Sequence, residues 1–136
     1  MKVVNQIHPS PEQAMAFFRG DDDGPMCMVN LLKFKDKAEY ADGSEPELTG
    51  REAYMRYGAG VQACLASVGG SARFTGYVTE LLLGEVEDLW DMVAIAEYPS
   101  RAAMLQMVQS PEYQAITQHR DAGLAGQLNI RTKALG

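Results

Sequence analysis

Apolar residues fall along this chain in two kinds of run. From Met26 to Phe34 (MCMVNLLKF) nearly every position is apolar, so this stretch reads as a strand covered on both faces. Ala72–Leu83 and Trp90–Tyr98 read as two further strands, joined by a turn over Gly84–Asp88 and so paired as an antiparallel hairpin. In the first of these, Arg73, Thr75, Tyr77 and Thr79 share one face and Phe74, Val78 and Leu82 the other; in the second, Trp90, Met92, Ala94, Ala96 and Tyr98 oppose Asp91, Val93, Ile95 and Glu97. A last strand is expected near Gln127–Lys133. Elsewhere the period lengthens to that of a helix. Ser10-Pro11-Glu12-Gln13 starts a helix with a capping box and carries Ala14, Phe17 and Phe18 toward a stop near Gly20. Thr49-Gly50-Arg51-Glu52 starts a second, whose stripe is Tyr54, Tyr57, Val61, Cys64 and Val68 and which ends at Gly69-Gly70. Gly58 and Gly60 weaken that helix and mark either close packing on the sheet or a slight bend. Pro99 ends a strand, Ser100 caps a helix with Ala102, Leu105 and Val108 inward, and Ser110-Pro111-Glu112 restarts the chain as a separate segment through Tyr113 and Ile116 to His119-Arg120-Asp121.

After an amino-terminal arm and helix (1–24), the order is strand, helix, strand, strand, helix, strand. That order predicts an α+β domain of ferredoxin-like βαββαβ type, one four-stranded antiparallel sheet with helices on one side and a core spanning 26–134. The strands are nevertheless apolar on both faces. One chain has helix enough for a single face, and a soluble monomer avoids a large bare apolar sheet. A homodimer through the free sheet face follows as the expectation.

The 136 residues suit a single domain, and 46% hydrophobic content excludes a disordered chain. A net charge of -6 with no Lys/Arg run argues against nucleic acid and anionic membrane as partners. The start, MKVVNQIHPSPEQ, is too polar for a signal peptide, no apolar run is long enough to span a membrane, and a cytoplasmic protein is expected. Met1–Ile7 reads as an edge strand or an arm. Cys27 and Cys64 lack metal or redox spacing and are expected as buried thiols. Asp21-Asp22-Asp23 lacks the alternation of a calcium loop and reads as a solvated turn. Lys35–Leu48 is a long polar connection, either a flap or simply a loop.

The polar residues available for chemistry are Asn30, Tyr54, Arg73, Asp91, His119 and Arg120. A mid-strand amide must be paired, so Asn30 is either a satisfied structural group or one that faces a pocket. The Tyr54 ring belongs to the core stripe, but its hydroxyl can reach a cleft. His119 is either a favourable partner for a helix end or a proton carrier. Arg120 would hold a ligand carboxylate or phenolate, or else pair with Asp121 or Asp91; Asp91, among apolar neighbours, is expected to pair with an arginine. Asp91 and Glu97 lie ~20 Å apart along one strand, too far to share a bond. No Ser-His-Asp elbow, phosphate loop or dinucleotide fingerprint appears, and neither cofactor nor metal is expected.

The run WDMVAIAEYPSRAAMLQMVQSPEYQAI, with MVNLLKF before it, resembles the small bacterial domain-of-unknown-function proteins of the dimeric α+β barrel superfamily. The resemblance implies the dimeric barrel fold and no settled activity. The wider superfamily includes cofactor-free monooxygenases, haem-degrading enzymes, isomerases and dehalogenase-like proteins. Two functions follow as expectations. One is an enzyme acting on a small anionic or aromatic molecule in a cleft between sheet and helices. There Asn30 would polarise an oxygen, His119 would move a proton, and Tyr54, Arg73, Asp91 and Arg120 would bind the substrate. The other is a non-catalytic homodimer that binds a small ligand or serves as a regulatory module. A haem-degrading variant would match Asn30 and Trp90, with His119 farther along the chain than that pattern has it. Asn30, Tyr54 and His119 meeting in one partly polar pocket would favour the enzyme.

Overall fold

The computed structural model describes residues 1–136, with eight elements in the order α1 (Pro11–Phe18), β1 (Met26–Phe34), α2 (Gly50–Ser67), β2 (Ser71–Tyr77), β3 (Met92–Tyr98), α3 (Arg101–Val108), α4 (Pro111–Gly123) and β4 (Leu124–Thr132). The sheet runs β2-β3-β1-β4 with every neighbour antiparallel, which is the ferredoxin-like α+β topology with an added first helix. Local chemistry sets the helix starts. Ser10 and Thr49 each close a full capping box, with Gln13 and Glu52, and Ser100 and Ser110 each accept an N–H of the first turn. Pro111 separates α3 from α4 as the sequence requires.

Strand alternation decides what faces the helices. Met26, Met28 and Leu32 of β1 and Met92 and Tyr98 of β3 are buried against Tyr54, Cys64 and Leu65 of α2 and Met107 of α3. Val29, Leu31, Val93 and Ile95 point to the other face, which carries no helix; there Phe74 and Ile130 are 56% and 45% exposed. Cys64 is buried as expected, whereas Cys27 lies half-buried on the open face.

Other expectations also need correction. The strand read as Ala72–Leu83 stops at Tyr77, so the hairpin turn is not Gly84–Asp88 but a long loop in which Leu81, Leu82 and Leu83 are exposed. A bulge between Ala72 and Phe74 then breaks the alternation of β2. It carries Arg73 to Glu97 on the open face (3.2 Å), while Thr75 and Tyr77 stay with the helices. The inner face of α3 carries Leu105 and Val108 as expected, with Met104 and Met107 beside them, but Ala102 is exposed. Gly60 allows close packing, but on Ile116 of α4 rather than on the sheet.

Candidate functional site

Between the helix-side face of the sheet and α2, α3 and α4 lies a cavity of about 860 Å³, within the usual size of small-molecule sites. Its walls are mostly apolar, with Met28, Met92, Met104 and Met107 among them. Thioether side chains adapt to flat or irregular ligands and make favourable contacts with aromatic rings.

One wall is polar and is built as a relay. The Asn30 Nδ2 donates to the Ala94 and Met28 carbonyls (3.0 and 3.3 Å), and its Oδ1 accepts from Gln127 Nε2 (2.6 Å). Gln127 Oε1 in turn accepts from Arg120 Nη2 (2.5 Å). Arg120 also donates to the Ile7 carbonyl and lies 3.2 Å from Asp121 Oδ1. Asn30 thus borders the cavity, but its amide is fully engaged: it aims Gln127, and Gln127 aims Arg120. The register of β1 on β4 sets this up by placing Leu32 opposite Gln127 and Asn30 opposite Asn129 on the same face.

Two phenols complete the wall. Tyr54 and Tyr98 are 7% and 5% exposed and both line the cavity. Neither hydroxyl has a protein hydrogen-bond partner, yet neither is sealed from the cavity. Burial pushes the Tyr54 phenol up to about 12, partly opposed by the Arg120 charge. Tyr98 is also pushed up by burial. Tyr57 and Tyr113 are instead bonded to one another at 3.0 Å.

The remaining candidates lie elsewhere. His119 sits one position before Arg120 on α4 but turns away from the cavity, and its Nδ1 lies 2.7 Å from the Tyr40 hydroxyl. Asn30, Tyr54 and His119 therefore do not meet in one pocket. The 35–48 loop that supplies Tyr40 lies against the outer side of α2 and α4, pinned by Glu45 on Arg56 (2.5 and 2.8 Å), and is not a flap over the cavity. Asp91 pairs with Lys33 (3.5 Å) and accepts the Phe34 N–H (2.9 Å), so its partner is a lysine and a backbone amide rather than an arginine. Arg73 is on the opposite face of the sheet. Trp90 donates to Asn5 and is not on the cavity wall, so the Asn-Trp-His pattern of a haem-degrading site does not assemble. The sequence reading missed Gln127, Tyr98 and His8. Only Tyr98 carried a signal, its place in the inward alternation of β3.

Residues 38–132 match the model of a family described as a domain of unknown function, DUF1330. The chain belongs to that family. A crystal structure of a protein of unknown function from Rhodopseudomonas palustris is 34% identical, with 98% of this chain and 99% of that one covered and a TM-score of 0.87. The methylated form of the Rhodopseudomonas protein gives 36% identity, 98% coverage of each chain and a TM-score of 0.89. A dimeric protein of unknown function from Bacteroides fragilis, with a ferredoxin-like fold, is 11% identical over 82% of this chain and 97% of its own, at a TM-score of 0.52, and shares the fold alone. Comparison with curated proteins returns no match. No helix is long and apolar enough to cross a membrane.

Proposed function

We propose that this DUF1330 protein takes up a small organic molecule with an apolar, preferably aromatic, body and one anionic or carbonyl oxygen, and acts on it without a bound cofactor, as an isomerase- or monooxygenase-like enzyme would. The observation that carries the reading is the arginine aimed by a two-amide relay into a methionine-lined cavity beside two unpartnered, buried phenols. Their hydroxyls have no protein partner and stay open to the cavity, so a ligand oxygen can bond to Tyr54 or Tyr98 without displacing a protein group. The second reading, a ligand-binding module without catalysis, draws support from Asn30, whose amide is already satisfied, and from His119, which faces away. Two copies would cover the open sheet face, a reading supported by exposed Phe74 and Ile130 amid Val29, Val93 and Ile95.

The test is a calorimetric titration with 1-naphthoate and with its neutral isostere 1-naphthalenemethanol, on a sample whose mass is read by light scattering. The acid should bind at least about tenfold more tightly, and Arg120→Met should erase that preference. Tyr54→Phe, a milder change, should weaken both ligands a few-fold. Equal affinity for acid and alcohol in the unaltered protein would refute the head-group assignment, and a one-chain mass would refute the dimer.

A further inference from the structure

We propose that His8 and Asp121 form a proton-transfer dyad at the mouth of this cavity, acting on a carbon acid whose oxygen lies against Arg120. This rests on the ligand reading above and adds to it the group that does chemistry.

His8 belongs to the amino-terminal arm and is one of the residues that wall the cavity. Its Nε2 lies 3.2 Å from Asp121 Oδ1, and its side chain is 60% exposed. The arm is pinned next to the polar wall. Gln6 bridges to Gln127, Arg120 holds the Ile7 carbonyl, and Trp90 donates to Asn5 (3.3 Å). The imidazole is therefore carried by the backbone that Gln127 and Arg120 already hold in place.

The Asp121 carboxylate lies at Nε2, and the dyad requires the neutral ring to carry its proton there, which leaves the Nδ1 lone pair as a base without a protein partner. The same Asp121 oxygen also lies 3.2 Å from Arg120 Nη1, so one carboxylate joins the base to the cation that faces the ligand. Asp121 and Arg120 are the charged groups that α4 sets against His8. Lys35 reaches the Asp121 carbonyl from the exit of β1 (3.4 Å), β4 contributes the neutral Gln127, and α2 contributes the neutral phenol of Tyr54.

The step balances within these groups. The C–H bond next to the substrate carbonyl breaks and its proton goes to His8 Nδ1. The electron pair moves onto the carbonyl oxygen, giving an enolate opposite Arg120, while Asp121 stabilises the imidazolium. Return of the proton to carbon restores neutral His8, with no net oxidation.

Phenylpyruvate, an aromatic carbon acid with a carboxylate, serves as the probe. Exchange of its C3 protons in D₂O is followed by NMR, and its dissociation constant by calorimetry. The unaltered protein should accelerate exchange over buffer. His8→Gln should lose the acceleration about a hundredfold or more, with the dissociation constant changed by less than about threefold. Asp121→Asn should slow exchange by a smaller factor. Binding without accelerated exchange, or full exchange in His8→Gln, overturns the dyad while leaving the ligand reading intact. Failure of phenylpyruvate to bind counts against the ligand reading. The dyad is then decided on the free protein by ¹⁵N imidazole shifts: His8 should be the Nε2–H tautomer in the unaltered protein and a mixture in Asp121→Asn, and a mixture in both overturns the pairing.

Discussion

Helix α4 carries histidine, arginine and aspartate at consecutive positions, and the fold uses them on opposite sides. His119 turns outward to the Tyr40 hydroxyl, while Arg120 and Asp121 turn inward to Gln127, the Ile7 carbonyl and His8. Each residue of a helix advances about 100° around the axis, so His119 and Asp121 stand about 200° apart, and Arg120 joins Asp121 on the inner side. On the outer side the imidazole meets a phenol from a loop and lies off the cavity wall. On the inner side a guanidinium and a carboxylate border about 860 Å³ of mostly apolar space. Chemistry here is decided by which side of one helix a residue occupies, and that depends on how α4 is seated on α2.

Its seating rests on two glycines at the crossing. A methyl group at Gly123 would fall on the Gly50 carbonyl oxygen and within 3.0 Å of the Tyr54 nitrogen, and backbone atoms cannot step aside. Gly123→Ala should therefore cost about 3 kcal/mol, at the upper end of overpacking effects, as read from urea unfolding. It would disturb both sides of α4 together, weakening naphthoate binding and loosening the 35–48 loop to proteolysis. A fully stable variant that binds normally would mean that the helix pair tolerates separation and that its seating does not aim Arg120.

The inner side also differs in how it answers to alkali. Tyr54, pushed up to about 12, keeps its proton in the folded chain, while the unfolded chain releases it near 10. Between those values the unfolded state binds fewer protons, so stability falls as pH rises, by about 2–3 kcal/mol for this residue across the window. Burial of Tyr57 and Tyr98 acts in the same direction. Urea unfolding at pH 9, 10 and 11 should show this decline, and Tyr54→Phe should make it shallower. An identical slope in Tyr54→Phe would show that the phenol is not desolvated in the folded protein.

The two sides were not equally legible in the amino-acid order. The capping boxes at Ser10 and Thr49, the stripe from Tyr54 to Val68 and the inward alternation of Met92, Ala94, Ala96 and Tyr98 are local patterns, and the fold follows them. The site depends on register instead. Whether Asn30 reaches a ligand turns on Gln127, distant in sequence and brought near by β1–β4 pairing. Alternation alone puts Arg73 on the face of Thr75, and a single bulge reverses it. Leu81–Leu83 extended the apolar run beyond the end of β2 without adding to the sheet, because sequence periodicity does not distinguish a paired strand from an exposed loop. His8, in a polar arm outside every periodic segment, gave no local sign that it would meet Asp121.

The smallest expected effect isolates the outer side. His119→Ala removes one half-buried hydrogen bond to Tyr40, and the loop it helps to hold keeps its bidentate Glu45–Arg56 pair. A single such bond contributes about 0.5–1.5 kcal/mol net, so the loss in urea unfolding should be about 1 kcal/mol or less. Naphthoate affinity and phenylpyruvate exchange should both stay within about twofold, because the imidazole borders no part of the cavity. A tenfold loss of either would place His119 in the working site through motion of the 35–48 loop, and the division of labour across α4 would have to be redrawn. Unchanged values, beside a collapse in His8→Gln, would show that of the two histidines in the chain it is the one on the amino-terminal arm that does the chemistry.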